Sequence, residues 1–180
     1  MTSEILVRKH ERIFDIYDTN GNGYIEETDI KRIQGQFLAI FGESPTSERG
    51  AGIVRVWDDL WQALQASTDY VADGRISLQE WRKGMARLTG DEASYNRVIT
   101  PLATAVFRLV DTDGDGKVGP AEWRSFQESL GNGDAAEASF QHLDANHNGY
   151  LTVDELADLV HEYLASDDHD ARGGWLLGEV

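Results

Sequence analysis

The chain has 180 residues, of which 41% are hydrophobic, enough for one domain or two small ones with a proper core. Thirty-two acidic against sixteen basic residues give a formal charge of −16, which repels nucleic acid and anionic membrane surfaces at long range and leaves cations as the natural counterpart. There is no cysteine, which excludes disulfides, thiolate catalysis and cysteine–zinc sites.

The N-terminal stretch carries Glu4, Arg8, Lys9, Glu11 and Arg12, which leaves no room for a secretory apolar core, and no run of 18 apolar residues follows. The expectation is a soluble, cytoplasmic, monomeric protein.

Taken in chain order, apolar residues at offsets of three and four mark helices on both sides of short acidic, glycine-containing loops. Ile13, Phe14, Ile16 and Tyr17 lead into the first loop, which begins at Asp18; Ile30, Ile33 and Phe37 follow it. Gly42 is expected to stop that second helix. A long striped helix then carries Ile53, Val56, Trp57, Leu60, Trp61 and Leu64. It leads to a weaker loop starting at Asp69, followed by Trp81 and Met85.

Residues 89–100 read as a connector, and Thr100–Pro101 as the N-cap and first-turn proline of the next helix. That helix carries Val106, Phe107, Leu109 and Val110 into a loop at Asp111. Trp123, Phe126 and Leu130 follow; Asp134 and Glu137 then resemble a capping box. Phe140 and Leu143 precede the last loop, at Asp144, and Leu156, Leu159, Val160 and Tyr163 follow it. Each repeat is helix–loop–helix.

The strong loops share one twelve-residue pattern. The first offers Asp18, Asn20 and Asn22 at positions 1, 3 and 5, the Tyr24 carbonyl at 7 and Asp29 at 12. The third offers Asp111, Asp113, Asp115, the Lys117 carbonyl and Glu122; the fourth Asp144, Asn146, Asn148, the Tyr150 carbonyl and Glu155. Ca²⁺ is a hard cation that takes six to eight oxygens, and this spacing supplies them. Position 6 is glycine in every copy (Gly23, Gly74, Gly116, Gly149), because the chain turns there with positive φ. Position 8 is apolar (Ile25, Ile76, Val118, Leu151), as a short β-bridge between paired loops requires. This is the EF-hand pattern, and about three Ca²⁺ ions are expected.

The loops are not equal. Loop three has four carboxylates and is expected to bind tightest if charge decides; loop four has fewer charges and less repulsion when empty. In loop one Asp29 is a methylene shorter than glutamate, so a site shared with Mg²⁺ is predicted there. In loop two Val71 at position 3 offers no oxygen. Asp69, Asp73, the Arg75 carbonyl and Glu80 remain, which leaves weak occupancy open, but a structural role as the pairing partner of loop one is the favoured reading.

Loop starts at 18, 69, 111 and 144 are spaced by 51, 42 and 33 residues. Four hands with a degenerate second one at such uneven spacing resemble the sarcoplasmic calcium-binding proteins and the bacterial calerythrin-like proteins. The resemblance implies an all-α fold of four EF-hand units in two pairs, residues 1–90 and 100–180, packed face to face into one compact body.

It also points to an intracellular Ca²⁺ buffer or store, not an enzyme. Residue usage agrees, since adaptable target grooves are methionine-rich and only Met1 and Met85 are present. A Ca²⁺-dependent regulator of a partner protein is the alternative. A remote third reading is a coelenterazine photoprotein, which shares the fold and has good hands one, three and four; the absence of cysteine and of a matching C-terminal end weighs against it.

Trp57, Trp61, Trp81 and Trp123 read as core residues, with a ligand pocket as the alternative. The tail Gly173-Gly174-Trp175-Leu176-Leu177 either folds back to fill the protein's own groove or is a disordered end. His10, His142, His147, His161 and His169 show no zinc spacing and read as surface residues.

Overall fold

A computed structural model describes residues 3–68 and 73–178 of the chain. Eight helices and four short strands appear among these residues: α1 (Glu4–Tyr17), β1 (Tyr24–Glu26), α2 (Glu27–Ile40), α3 (Glu48–Thr68), β2 (Arg75–Ser77), α4 (Leu78–Gly90), α5 (Glu92–Val110), β3 (Lys117–Val118), α6 (Pro120–Ser129), α7 (Ala136–Leu143), β4 (Leu151–Thr152) and α8 (Val153–Ala165). Short 3₁₀ turns precede α7 (Gly133–Ala135) and follow α8 (Arg172–Trp175). The architecture is all-α, as expected.

The position-8 residues do what the pattern requires. β1 and β2 pair antiparallel with Ile25 opposite Ile76, and β3 and β4 with Val118 opposite Leu151; all four side chains are fully buried. Hands one and two therefore form one pair, and hands three and four another. Gly42, at φ +67°, ends α2 with the Gly42 N–H bonded to the Ala39 carbonyl and the Glu43 N–H to the Leu38 carbonyl, a Schellman closure.

Two local expectations fail. Residues 92–110 form one continuous helix, so the connector between α4 and α5 is Asp91 alone, and Pro101 lies inside α5. The Asp91 carboxylate accepts the Ser94 N–H at 2.9 Å and starts the helix nine residues before the proline that was expected to open it. Proline removes one helical hydrogen bond, but the apolar stripe of Val98, Ile99, Phe107, Leu109 and Val110 is buried along the helix and holds it together across the gap. Asp134 makes no capping box either: it lies in the 3₁₀ turn, and the N-cap of α7 is Ala135, without a side-chain cap. Gly133 approaches Glu128 so closely that an added Cβ would lie 2.7 Å from its Cγ, and this tight turn delays the start of the helix.

One continuous core joins the two pairs. The striped residues of α3 (Ile53, Val56, Trp57, Leu60, Trp61, Leu64) are all buried, as are Trp81 and Trp123. Trp81 meets Phe14 and Tyr17 of α1 edge-on, and its indole N–H donates to the His10 carbonyl at 2.8 Å. Phe37 of α2 reaches across to Phe126 of α6, ring centroids 6.3 Å apart.

The C-terminus of α8 is closed by α1. Lys9 Nζ donates to the Ser166 carbonyl at 3.0 Å, where its ammonium complements the helix dipole, and His10 Nε2 meets the Leu164 carbonyl at 3.0 Å. His10 is buried, contrary to the surface position expected for it; burial pushes its pKa down, only partly opposed by the Leu164 carbonyl.

The tail is docked, not loose. Leu176 is buried; Gln127 Nε2 donates to the Leu176 carbonyl at 2.9 Å and Asn132 Nδ2 to that of Leu177 at 3.0 Å. Trp175 stacks on His142, with centroids 4.0 Å apart. Gly173 must be glycine here, because a Cβ would lie 2.5 Å from the Leu159 carbonyl oxygen. Asn132 also accepts from Arg12 of α1 at 2.5 Å, so the first helix, the α6–α7 link and the tail meet at one side chain.

Candidate metal centres

Each strong loop folds around the carboxylate at position 1. In loop one the N–H groups of Asn22 and Gly23 donate to the two oxygens of Asp18, at 3.0 and 2.7 Å. In loop three Gly114, Asp115 and Gly116 donate to Asp111 at 2.8–3.1 Å. In loop four Asn148 and Gly149 donate to Asp144 at 3.1 and 2.9 Å.

Positions 3 and 5 bond forward to backbone N–H groups in the same way. Asn20 accepts from Asn22 and Asn22 from Tyr24; Asp113 from Asp115 and Asp115 from Lys117; Asn146 from Asn148 and Asn148 from Tyr150. These turns point the side-chain oxygens into the loop. Gly23, Gly116 and Gly149 at position 6 have φ between +81° and +86°. Position 4 also needs positive φ: Gly21 and Gly114 supply it without strain, whereas loop four uses the exposed His147 at φ +55°.

Position 12 has two tasks. Its carboxylate accepts the N–H of the residue three earlier, capping the outgoing helix: Asp29 from Glu26 (3.0 Å), Glu80 from Ser77, Glu122 from Gly119 and Glu155 from Thr152 (2.9 Å each). The other oxygen is turned back to the start of the loop. Asp29 takes Thr19 Oγ1 at 2.7 Å and Asn20 Nδ2 at 2.9 Å, Glu122 takes the N–H and hydroxyl of Thr112, and Glu155 takes Asn146 Nδ2 at 2.6 Å. Positions 1 and 12 are thereby brought onto one loop interior in all three.

The oxygen-only donor set fits a hard divalent cation. Carboxylate oxygens of Asp111, Asp113 and Asp115 lie within 4.8 Å of one another, an arrangement of like charges that favours a cation between them. In loops one and four asparagines replace aspartates at positions 3 and 5. Asp29 is fully buried, with Arg32 Nη1 3.7 Å away, so loop one carries a compensating positive charge at its closing ligand. In loop two Asp73 Oδ1 accepts the Arg75 N–H at 3.0 Å and Glu80 caps α4. Asp69 and Val71, on which its occupancy turns, lie outside the described residues.

Some supporting residues were not singled out from the pattern. Arg49, at the start of α3, donates to the carbonyls of Leu109 and Asp111 at 2.8 and 2.9 Å, tying the first half of the molecule to the first ligand of loop three. Nothing in local spacing marks it, because its partners are 60 and 62 residues away. Thr19 and Thr112 at position 2 were legible in principle, since the same residue type recurs at the same place in loops one and three. Glu26, at position 9, pairs with Arg75 across the β1–β2 bridge at 3.0 Å.

Comparison with known proteins agrees with this geometry. The EF hand family model matches residues 11–33, 102–127 and 136–160, the segments that hold loops one, three and four. Calerythrin from Saccharopolyspora erythraea is 27% identical over 167 residues, covering 91% of this chain and 94% of that protein. Sarcoplasmic calcium-binding protein 1 from Astacus leptodactylus is 22% identical, covering 92% of this chain and 91% of its own length. A solved Streptomyces coelicolor calcium-binding protein, described as a basis for prokaryotic calcium-mediated regulation, superposes with a TM-score of 0.77 at 27% identity, covering 91% of this chain and 99% of that one. With three loops of the right donors and relatives along most of its length, the chain is a calcium-binding EF-hand protein, homologous to calerythrin and the sarcoplasmic calcium-binding proteins.

Proposed function

We propose that the protein is an intracellular Ca²⁺ buffer that holds about three ions in hands one, three and four and acts as a monomer, by binding rather than catalysis. The docked tail is the observation that carries this reading. A sensor needs a groove that calcium opens to a target; here Leu176 and Leu177 cover one side of the apolar space between the hand pairs, held by Gln127 and by Asn132, which Arg12 in turn anchors. A core built on rigid tryptophans rather than methionines supports the same reading.

The ligands divide the work by charge. Loop three, with four carboxylates, is the strong calcium site. Loop four, with two, gives up affinity for less repulsion when empty. Loop one is shared with Mg²⁺, because Asp29 is short and is held in place by Glu26, Thr19 and Asn20. Three divalent ions reduce the formal charge from −16 to −10, so loading relieves self-repulsion and stabilises the fold.

A regulatory role is the second reading, favoured by the description of the Streptomyces coelicolor homologue. The two separate on one titration: a dye for apolar surface added with Ca²⁺. A buffer shows no rise in dye fluorescence on loading; a clear rise refutes the buffer reading and supports the sensor.

A further inference from the structure

Between the two hand pairs lies an apolar cavity of about 180 Å³. Protein interiors are close-packed, and few voids exceed a water molecule. Trp57 of α3, Trp81 of α4 and Trp123 of α6 line this one, with Leu156 of α8 and Leu176 of the tail. Its lining includes Ala103 and Thr104 of α5 and Val153 of α8, and Val153 is 37% exposed. For scale, an apolar cavity of about 150 Å³ takes up benzene. The space here therefore suits one ring or two fused rings.

Most of the lining is apolar, with the hydroxyl-bearing Tyr17, Thr104 and Tyr163 among it, and one buried donor on it has no partner among the described residues. The indole N–H of Trp57 is buried and finds no hydrogen-bond partner among the described residues, although the side chain is only 3% exposed. Buried tryptophans normally find an acceptor, and an orphan donor is costly. By contrast, the indoles of Trp81 and Trp123 are both satisfied, by the His10 carbonyl and Ser139 Oγ. The lining thus combines several aromatic walls with one unanswered donor on Trp57, the composition of a small-molecule pocket with an orienting group. A formal charge of −16 disfavours an anionic guest.

We propose that this cavity binds a neutral, flat, one- or two-ring aromatic molecule bearing a hydrogen-bond acceptor on its edge, with the Trp57 indole N–H as the donor that orients it. The site is separate from the calcium loops and does not depend on the buffer reading.

The test uses the calcium-loaded full chain and two probes of the same shape: quinoline, whose ring nitrogen accepts a hydrogen bond, and naphthalene, which has no acceptor. The chain has five tryptophans, each with its own indole N–H resonance. Quinoline is expected to shift the resonances of Trp57, Trp81 and Trp123 saturably, at one molecule per chain. Those of Trp61 and Trp175, which do not line the cavity, are expected to stay unmoved. Quinoline should bind about tenfold more tightly than naphthalene, and Trp57→Phe should abolish that preference while retaining naphthalene.

Absence of saturable shifts with both probes overturns the site, as does equal movement of Trp61 and Trp175. A preference for quinoline that survives Trp57→Phe overturns the role of the donor. Ala157→Phe, which adds a ring at a lining position, should block both probes; if it fails to fold, Val160→Phe serves in its place, and binding that persists in a folded filled variant overturns the location.

Discussion

Leu176→Ala tests whether the tail is part of the folded body. The side chain is 7% exposed, and its carbonyl receives the buried Gln127 amide. Replacing a buried leucine by alanine costs roughly 2–5 kcal/mol when the surroundings cannot collapse. Here the tail can detach, so the loss is capped by the free energy of docking. Detachment exchanges the Gln127–Leu176 hydrogen bond for water, at about 1 kcal/mol, and gives up the Trp175–His142 stack, at about 1 kcal/mol, besides the burial of Leu176 itself. Freed residues regain conformational entropy, which offsets part of this. A net loss of about 2–3 kcal/mol follows for the calcium-loaded protein, read by urea denaturation followed by circular dichroism. Truncation before Gly173 should add a second signature: dye binding to the uncovered groove even with calcium present. A loss below about 0.5 kcal/mol in Leu176→Ala, together with unchanged calcium affinity and unchanged dye binding in the truncated protein, would refute the reasoning.

Further outcomes follow from the same geometry. Asp29→Glu should raise the preference of site one for Ca²⁺ over Mg²⁺, while the extra methylene at a fully buried position costs the metal-free protein about 1–3 kcal/mol; competition titrations giving the same preference before and after would defeat it. Arg49→Met keeps the side chain's stem but removes two hydrogen bonds from a charged donor to the end of α5, so stability should fall by about 2 kcal/mol and loop three should weaken several-fold; the Gly116 amide resonance during calcium titration is the readout, and unchanged affinity there counts against the link. His10 is held below its ordinary pKa of 6.5 by burial, so between its folded and unfolded values the unfolded chain binds more protons. Its contribution to stability is therefore present above about pH 6.5 and is lost as pH falls toward the folded value. Stability should decline with falling pH in that window for the wild type and less steeply for His10→Gln; parallel curves would show that His10 is not the titrating group.

Much of the candidate site was legible because its chemistry is local. Twelve consecutive residues contain every ligand of a loop, and glycine at position 6, an apolar residue at 8 and a carboxylate at 12 each answer a separate physical demand. The pairing of Ile25 with Ile76 and of Val118 with Leu151 followed from position 8 alone. The stripe of α3 and the stop at Gly42 were legible for the same reason. What escaped is long-range. Arg49 on the Asp111 carbonyl, Lys9 and His10 on the end of α8, and Arg12 on Asn132 all join residues more than fifty positions apart. Pro101 misled because a local start signal was outweighed by a helix that begins nine residues earlier and whose buried stripe runs through the proline. Burial of His10 was invisible because nothing near it in sequence requires it. The tail showed its apolar character, but only the groove it fills explains why Gly173 has no room for a side chain.

The most direct test of the central claim is calorimetric titration with Ca²⁺, with and without millimolar Mg²⁺. The account predicts three ions per chain, with binding at hand one alone weakened by Mg²⁺ and hands three and four little affected. A stoichiometry below three, or a fourth ion bound as tightly as the others, would contradict it.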